Sequence, residues 1–213
     1  MEPNPVQDLV LVLVPMILSL TVHEFAHAAT ARALGDRTAE SQGRLTLNPV
    51  SHIDPFGTLL LPAILVLSGS GFFFGWARPV PYDPRGFRAS VGARLGTLLT
   101  AAAGPASNLV LAVLAALVLN IALGGVASTS PAAGLLVRMV FINVILALFN
   151  LIPMPPLDGS KVLHSLFPGP VGRVYARLQQ NPLVGMGVFL MVVLLAGRII
   201  GPPTMMLVRA LIH

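Results

Sequence analysis

The 213-residue sequence contains no cysteine. This absence excludes disulfide bonds, thiolate metal sites and cysteine catalysis, so any metal ion must be bound by histidine and carboxylate side chains. Charged residues are also scarce, at 10% of the chain, and no segment has the composition of a sizeable soluble domain. The first residues have no basic region and precede no small-residue cleavage motif, so we expect no secretory signal peptide.

Apolar sequence, by contrast, is abundant. Hydrophobic residues make up 55% of the chain, and the mean hydropathy is +0.83. Several apolar runs reach the roughly 18–20 residues needed to cross about 30 Å of hydrocarbon. We therefore predict an all-α, polytopic membrane protein whose residues 1–213 form a single integral-membrane domain.

The first apolar run, Leu9 to Leu34, contains the pattern H-E-x-x-H at His23, Glu24 and His27. Ionisable groups at bilayer depth cost several kcal/mol and usually mark a functional site. Positions i and i+4 share one face of a helix, so both imidazoles can bind one metal ion. Glu24 follows at the next position round the helix, where it can act as a general base. Two imidazoles and an open water position favour one zinc ion.

The charge distribution predicts the orientation of the chain. The net charge of +5 does not indicate nucleic-acid binding, because the arginines are spread through short loops. Residues 1–8 contain no Lys or Arg, whereas the loop after the first apolar run carries Arg37 and Arg44. We therefore expect a multi-pass protein of the cell membrane, with the N-terminus outside and the active site towards the cytoplasmic side.

Zinc held by two histidines needs a third protein ligand. Among the acidic residues, Asp54 and Asp158 are the best placed to reach the histidines. Asp158 is preferred because the prolines of Pro153–Pro156 remove backbone donors and hold the chain extended at a helix junction, which aims a carboxylate sideways. Alternatively, Asp158 caps the following helix. His52 and Asp54 are either supporting residues on the substrate's access path or local hydrogen-bonding residues in a turn-rich loop.

Two further apolar stretches contain helix-breaking residues. The run 59–74 is interrupted by Pro62 and is basic on both flanks, so we predict a re-entrant or broken segment whose flanks are both cytoplasmic. Residues 69–82 are also a candidate for a short β-hairpin. The helix expected over 92–123 is interrupted by Gly104-Pro105, and Asn108 can satisfy a carbonyl that this kink exposes.

Three segments together resemble the site-2 protease family of intramembrane zinc metalloproteases. They are HEFAH at 23–27, AGPASN at 103–108 and NLIPMPPLDG at 150–159. Residues 43–84 resemble those of the compact prokaryotic branch, in which a re-entrant β-like segment lies beside the active site. We expect the chain to differ from better-known members of the family in lacking a PDZ or CBS domain.

The resemblance implies a fold and a set of functional residues. The fold is a catalytic core of three membrane helices with peripheral helices added. The implied zinc ligands are His23, His27 and Asp158. The resemblance further implies that Glu24 is the general base and that Asn108 and Asn150 are supporting residues near the site.

The predicted function is hydrolysis of peptide bonds in or near transmembrane segments of membrane-protein substrates, as in regulated intramembrane proteolysis. The expected partners are a transmembrane protein or peptide substrate and the lipid bilayer, with self-association left open. The alternative is a non-proteolytic membrane zinc carrier or sensor. Transporters usually have an internal repeat and several polar positions at the membrane midplane, and neither is visible in this sequence.

Overall fold

The computed structural model describes residues 5–69, 74–122 and 130–212. Over these ranges the chain is helical, with no β-strand. The described α-helices are α1 (Pro5–Leu34), α2 (Thr38–Ser41), α3 (Leu61–Leu67), α4 (Gly92–Leu117), α5 (Pro131–Asn150), α6 (Asp158–Leu166), α7 (Pro168–Gln180) and α8 (Pro182–Leu211). Single 3₁₀ turns occur at Pro49–Ser51 and Pro84–Gly86, and π-helical turns at Pro55–Leu60 and Val118–Ala122.

Four of the described helical segments are long and apolar enough to cross a membrane. They are Val6–Leu34, Gly92–Ala122, Pro131–Asn150 and Leu183–Leu211. This confirms the predicted all-α fold over the described residues, with four candidate membrane-spanning helices. Helices α1, α4 and α5 pack against one another, whereas α8 packs mainly on α5. Only 17% of the most apolar stretch of α8 is buried, against 39–44% for the other three, so α8 lies at the edge of the bundle.

The contact between α4 and α5 is built from small side chains. Ala112, Ala115 and Ala116 of α4 are buried against Val140 and Val144 of α5. Small residues let membrane helices approach closely, where dispersion forces and interhelical hydrogen bonds rather than the hydrophobic effect hold them together. The close approach therefore also brings polar side chains of the two helices within hydrogen-bonding distance.

Helix α4 continues through Gly104 and Pro105, and the interruption predicted there is not observed. A proline removes only one backbone hydrogen bond, and tightly packed membrane helices tolerate that loss. Asn108 therefore does not form the predicted hydrogen bond to a carbonyl exposed by a kink in its own helix. Its partners lie on α1 and α5.

The apolar run 59–74 is not one continuous helix. The π-helical turn at Pro55–Leu60 leads into α3, which ends at Leu67. This apolar helical segment is about 20 Å long, shorter than the roughly 30 Å of a bilayer core. Its re-entrance into the membrane remains a prediction.

The predicted β-hairpin at 69–82 is not observed in the described part of that range, and residues 70–73 lie outside the described residues. Residues 74–82 contain no regular secondary structure, and their N–H groups do not bond to a second strand. The N–H groups of Trp76 and Arg78 instead donate to the carbonyl oxygens of Gly57 (3.2 Å) and His52 (2.9 Å). Turns and a short 3₁₀ segment thus supply the acceptors that a hairpin partner would have supplied.

Asp36, which is only 2% exposed, joins the end of α1 to the segment before α4. Its carboxylate accepts hydrogen bonds from the Thr38 hydroxyl (2.6 Å) and from the N–H groups of Thr38 (3.1 Å) and Asp83 (3.0 Å). Nearby, the N–H of Arg88 donates to the carbonyl oxygen of Leu34 (2.9 Å). These bonds fix where residues 74–88 lie relative to α1.

We expect the substitution Asp36→Ala to lower the free energy of unfolding by about 1–3 kcal/mol, because it leaves three partly buried donors without their charged acceptor. The matched control is Asp83→Ala, whose carboxylate caps the turn at Pro84–Gly86 and pairs with the exposed Arg85, so its loss should lower the free energy of unfolding by no more than about 1 kcal/mol. Thermal unfolding of both variants in detergent measures the difference. Equal losses in the two variants would contradict this account.

Candidate metal centre

The two histidines of the H-E-x-x-H pattern lie on the face of α1 that meets α4. The Nδ1 of His27 donates to the carbonyl oxygen of Thr100 (2.7 Å), and the Nδ1 of His23 lies 2.6 Å from the Oδ1 of Asn108. Both rings therefore turn their Nε2 atoms towards the same point, and these two atoms lie 3.0 Å apart. Both side chains are buried.

Asp158 completes the group from a distant part of the chain. Its Oδ2 lies 3.2 Å from the Nε2 of His23 and 3.1 Å from the Nε2 of His27. Asp158 is the first residue of α6, and Leu157 occupies the cap position without a side-chain hydrogen bond, so the capping alternative is not observed. The preceding segment forms turns, such as the bond from the Leu157 N–H to the Met154 carbonyl (2.8 Å), and is not the extended chain expected.

Helix α6 is fixed at both ends. At its start, a side chain on Gly159 would collide with the carbonyl of Leu151, so glycine permits the close turn that follows Asp158. At its end, Arg94 of α4 donates to the carbonyl oxygens of Ser165 and Leu166. These contacts hold the first turn of α6 against the histidines.

A cavity of about 410 Å³ opens beside the three groups. Glu24 lines it, and one carboxylate oxygen of Glu24 accepts a hydrogen bond from the N–H of Val80 (2.8 Å). Asn150 also lines the cavity, while its side-chain nitrogen donates to the Leu146 carbonyl oxygen (3.0 Å). Burial raises the pKa of Tyr82, another lining residue, so its hydroxyl remains a neutral donor at neutral pH.

Lys161 brings a positive charge to the same cavity. Its Nζ lies 3.3 Å from the Oδ1 of Asp158 and 5.5 Å from the centre of the Tyr82 ring. The two oxygens of Asp158 therefore have different partners, because Oδ2 faces the histidines and Oδ1 faces the lysine. A second cavity of about 260 Å³, almost wholly apolar, lies between α5 and α8 and shares Phe74 and Phe149 with the first.

The donor set fits a zinc ion. One ligand atom from each of His23, His27 and Asp158 lies within 4.8 Å of the other two, and all three residues are buried. A carbonyl oxygen can only accept, so His27 carries its proton on Nδ1 and directs the lone pair of Nε2 at its neighbours. Nitrogen and oxygen lone pairs that converge inside a protein need a cation, and two imidazoles with one carboxylate are typical zinc ligands.

The other predicted residues are divided between the site and the loops. Asn108 contacts His23, and Asn150 lines the cavity. His52 and Asp54 do neither. The ring of His52 bonds to the Thr46 carbonyl (2.8 Å) and the Asp54 carboxylate caps the turn at Pro55–Leu60, as the local alternative predicts.

Gly104 contributes to the site in a way that the sequence motifs did not predict. A side chain there would lie 2.4 Å from the Nε2 of His27 and 2.6 Å from that of His23, so only glycine leaves the ligand atoms room. A signal was available in the spacing, because Thr100, Gly104 and Asn108 recur every four residues and share a helical face. That face meets the histidines of α1.

Comparison with known proteins agrees with this geometry. Residues 118–194 match Peptidase family M50. The chain is 42% identical over 182 residues to the "Putative zinc metalloprotease YwhC" of Bacillus subtilis, covering 83% of this chain and 77% of that protein. It is 36% identical over 156 residues to the "Putative zinc metalloprotease Rip2" of Mycolicibacterium smegmatis, covering 73% and 56%. No solved structure matches the chain.

A bundle of apolar helices with a buried His-His-Asp cluster is the arrangement of a membrane metalloenzyme. The match to the Bacillus protein, at 42% identity over 83% of this chain, is extensive enough to identify the family. It belongs to Peptidase family M50, the site-2 protease family, and the resemblance seen in its motifs is confirmed.

We expect Gly104→Ala to reduce bound zinc to well below one ion per chain, because the added methyl group would occupy the space between the ligand atoms. Alanine favours a helix more than glycine does, so the loss would not come from helix destabilisation. Gly134→Ala in α5, where an added methyl group meets nothing within 4 Å, is the control. Metal analysis of the purified proteins measures the result, and a Gly104→Ala variant with full zinc content would contradict it.

Proposed function

We propose that this chain is an intramembrane zinc metalloprotease that hydrolyses peptide bonds in or near transmembrane segments of membrane-protein substrates. The observation that carries the proposal is the convergence of a His-His-Asp cluster and the Glu24 carboxylate on one cavity inside a bundle of apolar helices. In this proposal one zinc ion is held by His23, His27 and Asp158. The names of the Bacillus and mycobacterial relatives, which are 42% and 36% identical, support the metal and the reaction.

The packing of the long helices supports the proposed three-helix core. Helices α1, α4 and α5 would form the core that carries the site, with α8 peripheral, and residues 1–213 would act as one domain. The low burial of α8 supports this division. The basic loop after α1 supports an outside N-terminus and a site that opens towards the cytoplasmic side.

The reaction follows from the residues around the cavity. When bound, zinc supplies a Lewis acid that lowers the pKa of water towards about 7 and polarises a carbonyl group. Glu24 would accept the proton of the attacking water and transfer it to the amine of the leaving group. The N–H of Val80 orients this carboxylate by bonding to one of its two oxygens (2.8 Å), which leaves the other oxygen for the proton transfer.

We expect Glu24→Gln to retain zinc and to lower cleavage of a co-expressed membrane substrate by at least about 10²-fold, since a general base contributes that much or more. An amide oxygen can still accept from Val80, so the fold should be unaffected. Glu40→Gln, which alters an exposed ion pair with Arg32, is the control. Retained cleavage would refute the role of Glu24, and zinc binding without any cleavage by the unaltered protein would favour the zinc carrier or sensor.

The substrate must present an extended peptide, because a helical peptide bond is shielded by its own hydrogen bonds. Residues 74–82 offer an edge for it along the cavity. The N–H groups of Trp76, Arg78 and Val80 are used by the scaffold. The N–H groups of Gly75 and Ala77 form no hydrogen bond within the described part of the chain, and both residues line the cavity. An extended substrate would add as a strand there.

We expect Ala77→Pro to reduce cleavage more than it reduces zinc content, because proline removes one of the two donors of this edge. Parallel measurement of cleavage rate and zinc content separates the two effects. Equal loss of both would argue against strand addition.

A further inference from the structure

Three hydrogen-bonded side chains, two amides and one hydroxyl, are buried behind His23, on the side away from the cavity. They are Ser19 of α1, Asn108 of α4 and Asn143 of α5, all with no exposed surface. The three residues come from the three helices that pack around the site, and their side chains contact one another directly. Of these three side chains, that of Asn108 bonds directly to a residue of the metal cluster, His23.

The orientation of the Asn143 amide is determined by its neighbours. Its Nδ2 donates to the carbonyl oxygen of Met139 (2.8 Å) and to the hydroxyl oxygen of Ser19 (2.8 Å). The hydroxyl proton of Ser19 is already used, because it bonds to the Pro15 carbonyl (2.6 Å). Both partners of Nδ2 are therefore acceptors, and the Oδ1 of Asn143 must point the other way.

That orientation in turn determines the Asn108 amide. The Nδ2 of Asn108 donates to the Oδ1 of Asn143 (2.8 Å) and, at 3.2 Å, to the backbone carbonyl of Ser19. Its Oδ1 consequently faces the Nδ1 of His23, which must donate the proton of that 2.6 Å bond. His23 then has its proton on Nδ1 and a lone pair on Nε2, the atom that faces His27 and Asp158.

We propose that Asn143 is a positioning residue, which holds the Asn108 amide in the one orientation that directs the Nε2 lone pair of His23 at the metal. The proposal rests on the proposed function, since it assumes that His23 binds zinc. A rotated Asn108 would present an N–H group to His23 and favour the tautomer whose proton points into the site. Hydrogen bonds of this kind to metal-binding histidines fix the tautomer, and their loss typically lowers metal affinity 10- to 100-fold.

The test compares the zinc affinity of three variants in detergent, by competition with a chromophoric chelator. Asn143→Leu should bind zinc about 10-fold more weakly than the unaltered protein, at the lower end of the range for a direct histidine partner, because Asn108 keeps its bond to the Ser19 carbonyl. Asn120→Leu also removes a hydrogen bond between membrane helices, from Nδ2 to the Leu211 carbonyl (2.7 Å), and should leave zinc affinity unchanged. Cobalt substitution supplies a second signal, because a displaced ligand changes the visible spectrum whereas a loss of stability alone does not.

Asn143→Asp serves as the rescue variant. A buried carboxyl group stays protonated, so it keeps one carbonyl acceptor for Asn108 and one O–H donor for Met139 or Ser19. Zinc affinity should therefore stay close to that of the unaltered protein. Three outcomes would each overturn the proposal. Asn143→Asp could bind zinc as weakly as Asn143→Leu, Asn143→Leu could bind zinc as tightly as the unaltered protein, or Asn120→Leu could lose as much zinc affinity as Asn143→Leu.

A measurement on the unaltered chain does not depend on whether a variant folds. With ¹⁵N-labelled histidine and zinc removed, the chemical shift of the His23 Nδ1, assigned by comparison with His23→Gln, should be that of a protonated nitrogen, because this atom donates to the Oδ1 of Asn108. An unprotonated Nδ1 would refute the proposal. Failure of the unaltered protein to bind zinc at all would instead refute the proposed function, so the two failures are distinguishable.

Discussion

The structure depends on the lone pairs of His23, His27 and Asp158, which point at one another in an arrangement that would be unfavourable without a cation. Two imidazole nitrogens and a carboxylate oxygen lie within about 3 Å of one another in the interior of an apolar bundle. No apolar contact explains this arrangement, because each group gives up hydration to reach it. The contacts around it, from the glycine of α4 to the first turn of α6, hold these atoms together.

Close packing of small residues makes the convergence possible. The alanines of α4 bring α5 near, and Gly104 brings α4 against the histidines. In a membrane, such approach also satisfies polar side chains, which have no water to bond with. The same packing therefore buries the polar groups behind His23 and leaves room for a metal ion in front of it.

The segment 74–82 connects the site to its surroundings. It is fixed by bonds to the turns at residues 52 and 57 and, through Val80, to Glu24. Because the same stretch lines the cavity, the position of the Glu24 carboxylate and the proposed path of an extended peptide depend on one piece of backbone. Asp36 fixes the far end of this stretch through Asp83.

Local periodicity in the amino-acid sequence was enough to predict several features. The run lengths predicted the spanning helices, the four-residue spacing placed both histidines on one face, and scarcity of acids pointed to Asp158. Local patterns failed where the outcome depended on neighbours, so that the Gly104-Pro105 pair did not break α4 and residues 74–82 formed no strand. The contacts of Gly104, Val80 and Asn143 around the site emerge only in the folded structure, because each involves a helix or segment distant in sequence. A spacing specifies which way a side chain points along its own helix, but the distance to a partner on another helix is set by packing.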